Sequence, residues 1–214
     1  LCIVKVEGAR GFVPACATML RDGMKITSRD EEIESARKIA LELLLSEHYG
    51  DCIAPCQEAC PAGIDVQGYL AYTAKGDYRS ALKLVKEKNP LPLSIGRVCT
   101  RPCEDACRRN GVDEPVAIDY VKRFLADYDI SDEHFRPKLK SKNGKKVALI
   151  GAGPASLSCA YYLAQEGYNI DIYEKLPEAG GYLRYGIPEY RLPKAVLDKE
   201  ISTITELGVN IYYN

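Results

Sequence analysis

The sequence predicts an α-helical domain that holds its cysteines in two runs, followed by part of an α/β domain, with a short β segment ahead of both. Three observations carry this. Six of the nine cysteines form two runs of one spacing, Cys52, Cys56, Cys60 and Cys99, Cys103, Cys107. From Lys146 the chain turns to a strand, a glycine turn, a helix and a second strand. The opening Cys2–Gly8 alternates apolar and polar residues with the period of a strand.

The elements follow in order. The opening strand starts at once, so the chain is expected to begin inside a domain. Ser28-Arg-Asp-Glu31 has the form of a capping box, and Ile33, Ala36, Ala40, Leu43 and Leu44 continue at helical spacing, predicting a helix over 30–47 that delivers His48. Val66, Tyr69, Leu70 and Thr73 fit a short helix ending at Gly76, and Asp77 can cap a second one with Ala81, Leu82 and Val85, stopped by Pro90 and Pro92. Pro115 occupies the first-turn position of another helix, with Ile118, Val121 and Leu125 on its stripe. Six of the eleven residues from Arg136 to Lys146 are basic and none is acidic, which reads as a solvated linker. Val147–Ile150 is a strand, Pro154–Gln165 a helix, Ile170–Tyr173 a strand, Ala195–Leu207 a helix and Val209–Tyr213 a strand. The expected divisions are 1–27, 28–135, 136–145 and 146–214.

Composition narrows the function classes. Apolar residues make up 46%, charged residues 28%, and the net charge is -1, so no charge excess points to nucleic acid or an anionic membrane. No apolar run approaches the ~20 residues of a membrane helix. The N-terminus has no signal-peptide pattern, and the expected compartment is the cytoplasm. In a reducing compartment repeated cysteine runs read as metal or cluster ligands rather than disulfides.

Cysteines four apart lie on one face of a helical turn, so each run can present thiolates along one side. Zinc sites usually close with tighter pairs and four ligands. Two Cys-x3-Cys-x3-Cys runs, the first ending in Cys60-Pro61, fit [4Fe-4S] cubanes better, in the manner of runs whose last cysteine serves a different cluster. Two clusters shared between the runs are expected.

Cys52-Ile-Ala-Pro-Cys56-Gln-Glu-Ala-Cys60-Pro-Ala-Gly, then Pro90-Leu-Pro, then Gly96-Arg-Val-Cys99-Thr-Arg-Pro-Cys103-Glu-Asp-Ala-Cys107, resembles the N-terminal dicluster ferredoxin domain of glutamate synthase small subunits and dihydropyrimidine dehydrogenases. The resemblance covers residues 50–214. It implies crossed ligand sets: Cys52, Cys56 and Cys107 on one cluster, Cys60, Cys99 and Cys103 on the other. Each set is one ligand short. The cysteine that the family places shortly before Cys52 is absent, and His48 four residues upstream resembles the single-histidine cluster ligand of the large iron-sulfur subunit of respiratory NADH dehydrogenase. For the second set, some relatives use Gln or Glu in the following helix, where this chain has Lys122.

Cys2-Ile-Val-Lys-Val-Glu-Gly, Pro14-Ala-Cys16-Ala-Thr and Asp22-Gly-Met resemble the end of a plant-type [2Fe-2S] ferredoxin domain. Only the later cysteine pair is present, so the [2Fe-2S] centre is expected in a longer parent protein.

Gly151-Ala-Gly153-Pro-Ala-Ser156 follows a strand and opens a helix, the context of the Rossmann dinucleotide fingerprint. Its helix N-terminus suits a pyrophosphate, and Ser156 replaces the third glycine. Glu174, 23 residues after Gly151, stands where an acid accepts from ribose hydroxyls. Gly180-Gly181-Tyr-Leu-Arg-Tyr-Gly186 resembles the second glycine-rich stretch of the same family, which lies along FAD. The candidate nucleotide-binding residues are Gly151, Gly153, Pro154, Ala155, Glu174, Lys175 and Gly181. FAD is expected, held weakly by this portion alone, with the NAD(P)H domain beyond Asn214.

The resemblance implies an electron-transfer segment of an NAD(P)H-dependent iron-sulfur flavoprotein oxidoreductase, inactive by itself, in which the cofactors carry the chemistry and no residue acts as acid, base or nucleophile. A different class of reading is a docking and wiring module for a partner such as a glutamate synthase large subunit, a hydrogenase or a formate dehydrogenase. A zinc-held structural domain is the third.

Overall fold

A computed structural model describes residues 2–46, 52–131 and 135–214. The chain divides into two compact units, residues 1–51 and 52–214.

The first unit is a small antiparallel sheet with one helix. Strands β1 (Ile3–Val6), β2 (Phe12–Pro14) and β3 (Ile26–Thr27) lie in the order β2-β1-β3, with Val4 opposite Val13 and Val6 opposite Ile26. Helix α1 (Glu31–Ser46) is capped by Asp30, whose Oδ1 accepts from the Ile33 N–H at 2.8 Å, so the cap lies two residues beyond the expected Ser28. The helix is fastened to the sheet: Lys5 Nζ pairs with Asp30 at 2.8 Å, and Arg37 Nη2 donates to the Ile3 carbonyl at 2.7 Å. Ile33 is buried, whereas Leu43 and Leu44 of the expected stripe are exposed. These contacts place α1 with the sheet, so the structure divides after residue 51 rather than at residue 28.

The second unit begins with the cysteine helices. Helix α2 (Pro55–Glu58) holds Cys56 and helix α6 (Pro102–Asp105) holds Cys103. Each is a single turn opened by proline, and the outer cysteines of both runs lie outside it. Between them run α3 (Val66–Ala74), α4 (Tyr78–Lys88) and α5 (Pro92–Val98). Asp65 and Asp77 cap α3 and α4 by accepting from the N–H groups of Gly68 and Ser80. Helix α5 was not expected. Pro92 opens it rather than only ending α4, because a proline at a first-turn position gives up no intrahelical bond. Helix α7 (Ile118–Ser131) starts three residues after Pro115, where Glu104 Oε1 accepts from the Asp119 N–H at 2.8 Å. Ile64, Val66, Tyr69, Leu82, Val85, Ile118 and Leu125 form the core of this part, with Cys103 among them.

The remainder is parallel α/β. Strands β4 (Lys146–Ile150), β5 (Asn169–Glu174) and β6 (Val209–Tyr213) pair in that order, with Val147 opposite Ile170 and Ile170 opposite Val209. Helices α8 (Pro154–Gln165) and α10 (Lys194–Thr205) supply Leu157, Ala160, Leu197, Ile201 and Ile204 to a core with Ile170 and Ile172. A one-turn helix, α9 (Tyr182–Tyr185), follows Gly181. The basic segment is largely exposed, and its backbone is tied down where the Lys140 and Asn143 N–H groups donate to the Gln165 and Gly167 carbonyls at 2.8 and 3.0 Å.

The cysteine helices and the α/β part share packing. Leu91 belongs to the α/β core, and Ile95 and Val98 pack against it. Gly96 on the other side of α5 has no room for a side chain, since a Cβ there would stand 2.9 Å from Arg123 Cβ on α7. Glu200 on α10 accepts from the Leu93 and Ser94 N–H groups at 2.6 and 2.9 Å and caps α5 across the join. Cys99 follows directly on α5, so the second cysteine run starts from a helix seated in the α/β core.

Candidate functional site: a paired-cysteine region joined to a nucleotide loop

The two one-turn helices pack against each other, one from each cysteine run. Cys103 is buried, and its thiol is pushed up to about 11, first by burial and then by Cys99, with Cys60 adding to the rise and Lys122 opposing it. Cys56 is raised by burial, with Cys107 adding to it. Thiols of the two runs therefore act on one another. Cys52 is exposed. His48 lies outside the described residues.

Among the described residues no three His, Cys, Asp or Glu side chains stand at the spacing of a single metal ion. A cubane spreads its ligands around four irons. The donor set otherwise suits one: soft thiols grouped from both runs, with the Arg101 N–H directed at Cys99 Sγ at 3.3 Å. Arg101 is the one non-glycine residue with positive φ among the described residues, at 64°. Its Nε lies 3.3 Å from Asp119 Oδ2 and its guanidinium 4.3 Å from the Tyr120 ring centre. Asp119 also pairs with Lys122 at 2.8 Å, and both side chains are buried. Arg101 and Asp119 were missed from sequence, since no spacing rule marks a left-handed arginine.

In the α/β part, Gly151 has φ +84°, the conformation glycine supplies without strain in a tight turn. Gly153 is extended and opens α8 without a side-chain cap, which leaves the first N–H groups of that helix for an anion. Gly181 closes the loop from the other side: a Cβ there would stand 2.8 Å from Gly153 Cα. Glu174 is buried, and its carboxylate accepts from the Ala152 N–H at 2.6 Å and the Leu176 N–H at 2.9 Å. The Ala152 donor holds it below the usual carboxylate range despite burial. Its oxygens retain lone pairs for ribose hydroxyls, since a carboxylate offers about four acceptor sites. Pro154, Ala155 and Lys175 flank these groups. The loop fits the pyrophosphate and ribose of a dinucleotide.

The Gly181→Ala substitution should cost about 1–3 kcal/mol, because backbone rather than a flexible side chain blocks the new methyl. A urea midpoint unchanged from the parent would contradict this packing.

Residues 46–134 match the family described as dihydropyrimidine dehydrogenase domain II, 4Fe-4S cluster. This match is followed by one of residues 149–211 to the NAD(P)-binding Rossmann-like domain family. The chain is 43% identical over 183 residues to the NADP(+)-dependent formate dehydrogenase subunit beta of Moorella thermoacetica, covering 75% of this chain and 26% of that protein. It is 41% identical over 165 residues to the NAD-dependent dihydropyrimidine dehydrogenase subunit PreT homolog of Salmonella typhi, covering 75% and 40%. With the NADPH glutamate synthase small chain of Bacillus subtilis it shares 32% over 178 residues, covering 77% and 36%. The chain thus spans between about a quarter and two fifths of these relatives. The expected resemblance to glutamate synthase small subunits and dihydropyrimidine dehydrogenases holds for the 4Fe-4S domain and the Rossmann-like segment together. No helix among the described residues is long and apolar enough to cross a membrane.

Proposed function

We propose that the chain is the electron-transfer segment of an NAD(P)H-dependent iron-sulfur flavoprotein oxidoreductase, in which the Rossmann-like loop holds FAD and the two cysteine sets hold two [4Fe-4S] clusters. The observation that carries this is α5. One helix packs into the core behind the glycine loop and leads straight into Cys99, so the nucleotide site and the cysteine region belong to one compact unit. Bound there, the cofactors would split a hydride pair into single electrons. The residues provide the setting: Gly151, Gly153, Pro154 and Ala155 would receive the pyrophosphate, Gly181 would leave room beside it, and Glu174 would accept from the ribose, with Lys175 at its side.

The relatives named above are NAD- or NADP-dependent oxidoreductase subunits, and that supports a parent protein which passes electrons to a partner domain or subunit. Cys2 and Cys16, with Sγ atoms 3.0 Å apart in the first unit, would serve a [2Fe-2S] centre only with ligands from elsewhere. The cytoplasm is the proposed compartment.

The test is substitution of the paired cysteines after anaerobic reconstitution. Cys103→Ser should remove one cluster's EPR signal and leave the other, and Cys56→Ser should do the reverse. Loss of both signals from either change would contradict two separate sets. His48→Ala should alter only the signal that depends on Cys56; an unchanged spectrum would remove His48 from the proposed ligands.

A further inference from the structure

We infer that Arg101 and Lys122 are positioning residues that raise the reduction potential of the cluster held by Cys60, Cys99 and Cys103. The inference rests on the proposed cluster reading. One-electron reduction adds one negative charge to a cubane and its thiolates, and the potential follows the net charge around it and the hydrogen bonds to its sulfurs. Burial, which surrounds Cys103 here, opposes added charge.

Two features offset that cost. The Arg101 N–H points at Cys99 Sγ at 3.3 Å, and it does so from a left-handed conformation with φ 64°. Such a conformation is costly for a non-glycine residue and persists only where its surroundings fix it. The surroundings are identifiable: Arg101 Nε is 3.3 Å from Asp119 Oδ2, and the guanidinium stacks on Tyr120. Second, the Lys122 side chain is buried, with its ammonium 2.8 Å from Asp119 Oδ1. Asp119, whose own charge works against reduction, holds both cations beside the second cysteine run, since its N–H donates to Glu104, the neighbour of Cys103.

The experiment is an EPR-monitored redox titration of the anaerobically reconstituted chain, with iron measured on each sample. Lys122→Met should leave iron content unchanged and make one cluster about tenfold harder to reduce, a midpoint ~59 mV lower for one electron. Asp119→Asn removes the opposite charge and should move the same midpoint upward. The double variant Asp119→Asn with Lys122→Met should return near the parent value. Arg101→Gly keeps the N–H, since glycine reaches this φ freely, and should lower the midpoint through loss of the guanidinium alone. Should Lys122→Met fail to fold, the upward shift in Asp119→Asn still carries the test. Equal midpoints in all variants, or shifts of one sign for both Lys122→Met and Asp119→Asn, would overturn the inference. A parent chain that binds no iron would overturn the cluster reading beneath it.

Discussion

Replacing Glu200 by alanine is expected to destabilise the second unit by about 2–6 kcal/mol, since it strands two buried N–H groups at about 1–3 kcal/mol each. Those groups belong to Leu93 and Ser94, which donate to the two carboxylate oxygens at 2.6 and 2.9 Å. Glu200 is 2% exposed, so water does not reach in to replace it. The group also gives the chain a pH signature. Burial pushes its carboxyl up to about 7, although the N–H donors of Ser94 and Leu93 and the Lys86 ammonium pull the other way. Unfolded, a glutamate titrates near ~4.3. Between those values the folded state keeps a proton that the unfolded chain has released. This contribution to stability is therefore complete below about 4.3 and declines as pH rises through about 7. Urea midpoints from pH 5.5 to 8 should fall more steeply in the parent than in Glu200→Gln, a contrast that cancels the other titrating groups. Parallel curves would show that Glu200 is ionised throughout.

The second large effect is expected at Asp129. Its Oδ2 accepts from Lys86 Nζ at 2.8 Å and its Oδ1 from the Phe135 N–H at 2.6 Å, and the Lys86 and Asp129 side chains are each 6% exposed. Breaking a buried pair by removing one partner leaves an uncompensated charge, at about 3–5 kcal/mol. Asp129→Ala should lose that much, at roughly 2–4 °C of melting temperature per kcal/mol for a unit of this size. Lys86→Met combined with Asp129→Leu removes both charges and should recover most of the loss. A single variant that melts with the parent would mean that water reaches Lys86.

Much of the α/β part was legible because its signals are local. The proline after Gly153, the apolar stripe of α8 and the strands on either side obey period and turn rules, and Pro154–Gln165 and Val209–Tyr213 appear as expected. Helix α4 was equally plain from Asp77. What escaped depends on partners far along the chain. Pro92 was read as a stop, yet α5 exists because α7, α10 and Glu200 hold it on both sides. Glu200 did leave a trace: it is the acid among Leu197, Ile201 and Ile204, on the stripe that faces the core. The cysteine runs announced soft-metal chemistry by spacing, but the one-turn form of α2 and α6 follows from Pro55 and Pro102 opening each turn. Asp119 and Arg101 gave no signal, since their roles come from a buried network and a left-handed backbone.

The central claim is that the grouped cysteines hold two cubanes. Iron, sulfide and zinc analysis of the anaerobically reconstituted chain tests it most directly: about eight irons with matching sulfide are predicted for two [4Fe-4S] clusters, whereas a plateau near about four irons, or zinc bound without sulfide, would contradict it.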